Sequence, residues 1–185
     1  MGVDISSVAR RCKTRGHVLI VMRHAKAEPG GNEPDSERAL TDKGRKQAKR
    51  MARGLVDMGL MPDRIACSGA VRARQTLDRM LGVFGDHPRV DYRKRLYDGG
   101  IQAVVDELSH TSDDTRILLL LAHEPTVSVA SQWLSSQDSD PASEGLLGLG
   151  MSVGSVAILT ADGPFDRWQT HGARLEAVIR PKDLR

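Results

Sequence analysis

Apolar positions in this chain fall into two kinds of pattern. Residues 18–22 (VLIVM) and 117–122 (ILLLLA) are solid apolar runs, the mark of strands buried on both faces. Shorter runs at 64–68, 90–96, 156–160, 165–170 and 174–179 predict further strands. The last three are separated by the turn sequences Ala161-Asp162-Gly163-Pro164 and His171-Gly172, which suits antiparallel hairpins. Between the runs, apolar residues recur at helical spacing. Thr41 offers an N-cap ahead of Ala48, Met51, Ala52, Leu55 and Val56, and Gly59 and Pro62 close that helix. Leu77, Met80 and Leu81 mark a second helix over 71–81, and Ile101, Val104, Val105 and Leu108 a third. A fourth begins at Pro125, a residue suited to the first helical position, with Val129, Ala130, Trp133 and Leu134 facing inward.

The remaining stretches lack periodicity. Residues 27–39 read as a surface loop, and 135–154, rich in Ser, Gly and Asp, as an excursion over the surface. Residues 1–17 are polar, with Arg10, Arg11, Lys13 and Arg15, and are expected to be a disordered tail before one domain at 18–185. A loose myristoylation pattern at the start is too short to change that expectation. Strands alternating with helices predict an α/β fold: a three-layer sandwich with a mostly parallel central sheet flanked by helices and antiparallel C-terminal strands.

Composition narrows the function classes. The 185 residues are 39% hydrophobic and 28% charged, as in ordinary globular proteins. Aromatics at 3% leave few stacking platforms for single-stranded nucleic acid, and the net charge of +3 is spread among acidic residues, so no nucleic-acid partner is expected. No run approaches the ~20 apolar residues of a membrane span, and no signal peptide is visible, so no membrane partner and a cytoplasmic location are expected. Cys12 and Cys67 form no CxxC pair, and HExxH is absent. No metal site and no cofactor are expected.

Candidate chemistry sits at three strand ends, where open α/β sheets gather their ligands. The run 18–22 leads into Arg23-His24-Ala25, the run 64–68 ends at Ser68 with Arg72 one helical turn on, and 117–122 leads into His123-Glu124 before a helix start. Two arginines, two histidines and helix N-termini would meet there, a set suited to a phosphoryl group whose charge spreads over three oxygens. A neutral imidazole at His24 can be the nucleophile, with Arg23 and Arg72 disfavouring its protonated form. His123 can donate a hydrogen bond to the transferring group.

These residues resemble the signatures of the histidine phosphatase superfamily, with its phosphoglycerate mutase-like fold. Val21-Met22-Arg23-His24-Ala25 resembles the R-H-G motif, with Ala25 in place of glycine. Ser68-Gly69-Ala70-Val71-Arg72-Ala73-Arg74-Gln75-Thr76 matches S-x-x-x-R-A-x-Q-T, and His123 matches the second histidine. Arg38-Ala39-Leu40-Thr41 with Gly44, Gln47 and Ala48 resembles the segment between the two motifs. Leu96-Tyr97-Asp98 and the ending Arg180-Pro181-Lys182-Asp183-Leu184 look like the small SixA-type phosphohistidine phosphatases.

The resemblance implies a metal-independent phosphatase in which His24 is transiently phosphorylated and water releases phosphate. The substrate would be a phosphorylated protein, with phosphohistidine first, or a small phosphate ester. Arg23, Arg72 and His123 would hold the phosphoryl group, with Ser68, Arg38 and Glu124 as further substrate contacts. The proton donor stays open between Asp98, Glu124 and none. Rival readings are a mutase, a non-catalytic phosphate-binding module, and a cysteine phosphatase built on Cys67, whose C-x4-R spacing departs from the C-x5-R such enzymes need.

Overall fold

A computed structural model describes residues 2–185. A six-stranded sheet forms its centre, in the order β3-β2-β4-β1-β5-β6. The strands are β1 (His17–Arg23), β2 (Arg64–Ser68), β3 (Arg89–Arg93), β4 (Ile117–Ala122), β5 (Val156–Ala161) and β6 (Arg174–Ile179). β1 pairs in parallel with β4, from Val18↔Ile117 to Arg23↔Ala122, and β2 pairs in parallel with both β4 and β3. β5 runs antiparallel between β1 and β6. The expected sandwich is present.

Because β1 lies mid-sheet, both of its faces are covered, which is why its sequence is apolar without alternation. Val18, Ile20 and Met22 point to one layer, formed by α1 (Ile5–Lys13), α2 (Asp42–Asp57) and α3 (Val71–Phe84). Leu19 and Val21 point to the other, formed by α5 (Gly100–Ser109), α6 (Thr126–Leu134) and α7 (Pro141–Gly148). A short helix, α4 (Arg95–Asp98), lies between β3 and α5. Each large aliphatic side chain so buried contributes roughly 2 kcal/mol.

Local chemistry sets the element ends. The Thr41 hydroxyl accepts from the Gly44 N–H at 3.0 Å and caps α2 as expected. Gly44 is required at that place, because a Cβ there would lie 2.1 Å from the Lys26 carbonyl oxygen. This close approach ties the start of α2 to the segment just after His24. At the head of β2, Arg64 is buried and donates to Glu107 at 2.8 Å and Asp91 at 2.9 Å, while Arg93 reaches the other Glu107 oxygen.

Four expectations are corrected. Residues 5–13 are a helix and not a disordered tail; Met1 lies outside the described residues. Val8 and Cys12, four apart, bury against the core, Asp4 caps the start, and Arg11 donates to the buried Glu176 carboxylate at 2.6 Å. Of the basic residues that look like a solvated tail, Arg10, Arg11 and Lys13 lie in the last turn, where they meet the negative end of the helix dipole. Residues 165–170 form a 3-10 turn at Phe165–Arg167 in place of a strand, with Phe165 buried as its anchor. Within 135–154 lies α7, capped by Asp140 and opened by Pro141. Finally, α6 begins after Pro125 and buries Val127, Ala130, Ser131 and Leu134, while Val129 is exposed.

Candidate active site

Parallel strands β1, β4 and β2 are neighbours, so their carboxyl ends deliver side chains to one place. His24 follows β1, His123 follows β4, and Arg72 stands in the first turn of α3 after β2. The His24 and His123 rings lie 5.1 Å apart between centroids, inclined at 51°. Both are buried, as is Arg72. The structure therefore brings Arg23, His24, Arg72 and His123 into one cationic cup.

Hydrogen bonds orient the His24 ring. Its Nδ1 lies 2.8 Å from the Ala25 carbonyl oxygen, which can only accept, so the proton resides on Nδ1 and Nε2 carries the lone pair. The Arg72 Nε–H donates to that Nε2 at 3.2 Å. Burial holds the His24 pKa down to about 4; the Ala25 hydrogen bond opposes this, and Arg72, Arg23 and Arg38 push in the same direction as burial. His123 is held down to about 3 by burial, by His24 opposite and by Arg72. At neutral pH the cup therefore contains two uncharged imidazoles and two guanidinium groups.

His123 Nε2 lies 2.7 Å from the Ser68 hydroxyl, and that oxygen also accepts from the Ala70 N–H at the α3 entrance. Ser68 thus fixes the ring more than it faces the cup. Arg23 donates through Nη1 to the Met151 carbonyl at 2.8 Å. Burial disfavours the Arg23 charge, and nearby Glu124 favours it. Glu124 itself accepts from Ser128 at 2.6 Å, an arrangement that holds it behind Arg23. Two buried nitrogens of the cup, Arg23 Nε and His123 Nδ1, have no hydrogen-bond partner in the protein. Unpartnered buried donors cost stability unless a ligand engages them.

Sequence reasoning missed Asp35. It lies in the 3-10 turn Asp35–Glu37, in the segment expected only as a surface loop. Its carboxylate accepts from Arg72 Nη2 at 3.0 Å, from Arg38 Nε at 2.9 Å and from the Tyr97 hydroxyl at 2.7 Å, and its carbonyl accepts from Arg72 Nη1 at 2.8 Å. The Tyr97 hydrogen bond, then Arg72 and Arg38, holds this carboxyl well below the usual carboxylate range. Arg72 is thus gripped along its outer edge and turns Nε toward His24. Tyr97 also meets the edge of His123, with ring centroids 5.3 Å apart. Arg38 acts on the cup through Asp35.

Asp98 is not brought to the cup. It ends α4, is exposed, and makes no hydrogen bond or ion pair with the four residues; the side chain that α4 turns inward is its neighbour Tyr97. Cys67 is fully buried with its thiol pushed up to about 12 by burial, the opposite of a nucleophilic cysteine.

Residues 19–101 match the family model described as histidine phosphatase superfamily (branch 1). Among solved structures, a Nakamurella multipartitia protein assigned as phosphohistidine phosphatase SixA is 30% identical, with a TM-score of 0.78, over 89% of this chain and 96% of that one. A protein histidine phosphatase SixA solved with tungstate shares the fold at 21% identity and a TM-score of 0.73, over 90% of this chain and 98% of that one. An uncharacterized protein of Mycobacterium leprae is 27% identical over 87% of this chain and 100% of its own length. Among the described residues, no helix is long and apolar enough to cross a membrane.

Proposed function

The chain belongs to the histidine phosphatase superfamily and is a phosphatase, and we propose that it removes phosphate from protein phosphohistidine through a phosphorylated His24, without a metal ion. One observation carries the reading: the unprotonated Nε2 of His24, held by Arg72, faces a cup in which Arg23 Nε and His123 Nδ1 are buried without partners. A tetrahedral anion would engage both donors and the Arg72 Nε–H together.

In this reading the His24 lone pair attacks phosphorus, an Nε2–P bond forms, and the bond from phosphorus to the leaving nitrogen breaks. The two guanidinium groups and His123 balance the charge on the equatorial oxygens. Water then attacks the phosphorus on His24, an O–P bond forms as the Nε2–P bond breaks, and both protons of the water leave on phosphate. Asp35 stays ionised throughout, committed to Arg72, Arg38 and Tyr97.

The lack of an available carboxylic acid supports phosphohistidine over an alkyl phosphate. Asp98 is exposed and makes no contact with the four cup residues, Asp35 holds its proton too weakly to donate it at neutral pH, and Glu124 is engaged as an acceptor by Ser128 beside Arg23. An alkoxide needs a proton as it departs; an imidazole protonated on its other nitrogen leaves neutral.

The test compares a phosphohistidine peptide with p-nitrophenyl phosphate and an alkyl phosphate, with and without chelator, and traps acid-labile phosphate on the protein. The peptide should turn over fastest, the trapped label should vanish in His24→Ala, and chelator should change nothing. Equal turnover of the alkyl phosphate would remove phosphohistidine as the preferred substrate. Loss of activity in chelator would remove the metal-free mechanism.

A further inference from the structure

Beside the cup lies a groove of 610 Å³ between α2 and the segment joining α7 to β5. Lys43, Lys46 and Arg50 line one side, one helical turn apart, and Lys182 closes an end. All four are exposed, and none takes part in an ion pair among the described residues. No aspartate or glutamate lines the groove. Arg180 also faces it, but Asp183 neutralises that charge through two contacts of 2.9 Å.

The floor is apolar, formed by the buried Met151 and Val178, and at the rim stands Leu149, 87% exposed and the most exposed large hydrophobic side chain among the described residues. A free cation seeks only water, and an exposed leucine is ordinary by itself. Four unpaired cations around an apolar floor, with no carboxylate among them, are complementary to a chain that carries both acidic and apolar side chains.

Groove and cup share a wall. The Met151 carbonyl that lines the groove accepts from Arg23, and the Gln47 side chain accepts from the backbone N–H of Lys26, two residues past His24. Gly154, next to groove residue Val153, donates its N–H to the His24 carbonyl at 2.9 Å. These contacts put the groove directly beside the cup, within reach of the stretch that flanks a phosphorylated residue bound there.

We infer that this groove docks an acidic segment of the phosphorylated protein, next to the residue whose phosphate enters the cup. The choice of a protein occupant rests on the reading of the substrate above; the groove's charge and floor do not.

The experiment uses the full chain and the triple variant Lys43→Glu/Lys46→Glu/Arg50→Glu. All three side chains are exposed and make no ion pair among the described residues, and glutamate is a good helix former, so folding should be retained; circular dichroism of the variant checks it. Binding of a fluorescent, unphosphorylated acidic peptide is measured by anisotropy, which needs no turnover. The wild type should bind it at least about tenfold more tightly than the variant, and added salt should narrow the gap. With a phosphohistidine peptide flanked by acidic residues, the variant should raise KM by a similar factor and leave kcat unchanged. Its hydrolysis of p-nitrophenyl phosphate should stay within twofold of wild type. Leu149→Ala should weaken peptide binding about threefold. Equal binding of the acidic peptide by wild type and variant would overturn the inference. So would binding of inorganic tripolyphosphate as tight as that of the peptide, which would make the groove a small-polyanion site. Failure of phosphohistidine turnover with peptide binding intact would overturn the substrate reading alone.

Discussion

Acid should unfold this protein through the two histidines that make its chemistry possible. The ordinary imidazole value is 6.5, and in the folded chain His24 is held at about 4 and His123 at about 3. Both folded values lie below the unfolded one, so above pH 6.5 both states are neutral and their full stability is present. As pH falls below 6.5 the unfolded chain takes up protons that the folded chain refuses, and stability is lost with each step. For His24 the window is 6.5 to about 4, which corresponds to about 3 kcal/mol at the lower end. At pH 7 only about one His24 ring in a thousand is protonated, so nearly every molecule has its nucleophile ready.

Two measurements check this. A proton–nitrogen NMR titration of the imidazoles should leave His24 uncharged through pH 5. Urea denaturation at pH 7.5, 6.0 and 5.0 should show falling stability, and His24→Gln/His123→Gln should flatten the slope between the last two. Arg72→Gln should raise the His24 midpoint but keep it below 6.5, because burial is the larger cause. A His24 midpoint of 6 or above in the wild type would refute the reasoning, since the nucleophile would then be largely blocked in mildly acidic solution.

Three further outcomes follow from the contacts. Asp35→Asn should lower kcat/KM about 3- to 10-fold with little change in melting temperature, because Asp35 is itself half exposed and its pair with the buried Arg72 adds about 1 kcal/mol to stability while aiming Arg72; unchanged kinetics would show that Arg72 needs no guide. Glu107→Ala should destabilise the fold by about 3 kcal/mol, roughly 10 °C in Tm by calorimetry, because it removes a buried partner of Arg64 and the carboxylate held by Arg93. Cys67→Ser should keep activity within twofold of wild type, and a large loss would return the thiol to consideration.

Legibility in the sequence followed burial. Solid apolar runs marked β1 and β4 because mid-sheet strands meet apolar neighbours on both sides, a shorter run marked β2, and the four cup residues were legible because they stand at or just past the ends of those runs. Asp35 was not, since it shares its loop with Glu28, Glu33 and Glu37, whose sequence context is equally polar; its partners Arg72 and Tyr97 come from residues 37 and 62 positions away. The one local signal was Arg38, three positions on, which holds the same carboxylate. Helix α1 escaped because only Val8 and Cys12 are fully buried on it, too few to register as a periodic face. Tyr97 was passed over for Asp98 because a carboxylate was sought; the turn of α4 decides which of the two faces inward.

The strand that delivers His24 has a peculiar dependence on late-arriving chain. Its backbone is zipped on one side to residues about a hundred positions downstream, and on the other to residues about a hundred and forty downstream. A nascent polypeptide halted between α3 and β5 would carry both sequence signatures and no functioning enzyme. Recovery of hydrolysis after dilution from denaturant is therefore a clock for the slowest, longest-range zippering in the molecule, and it should lag behind the appearance of helical signal.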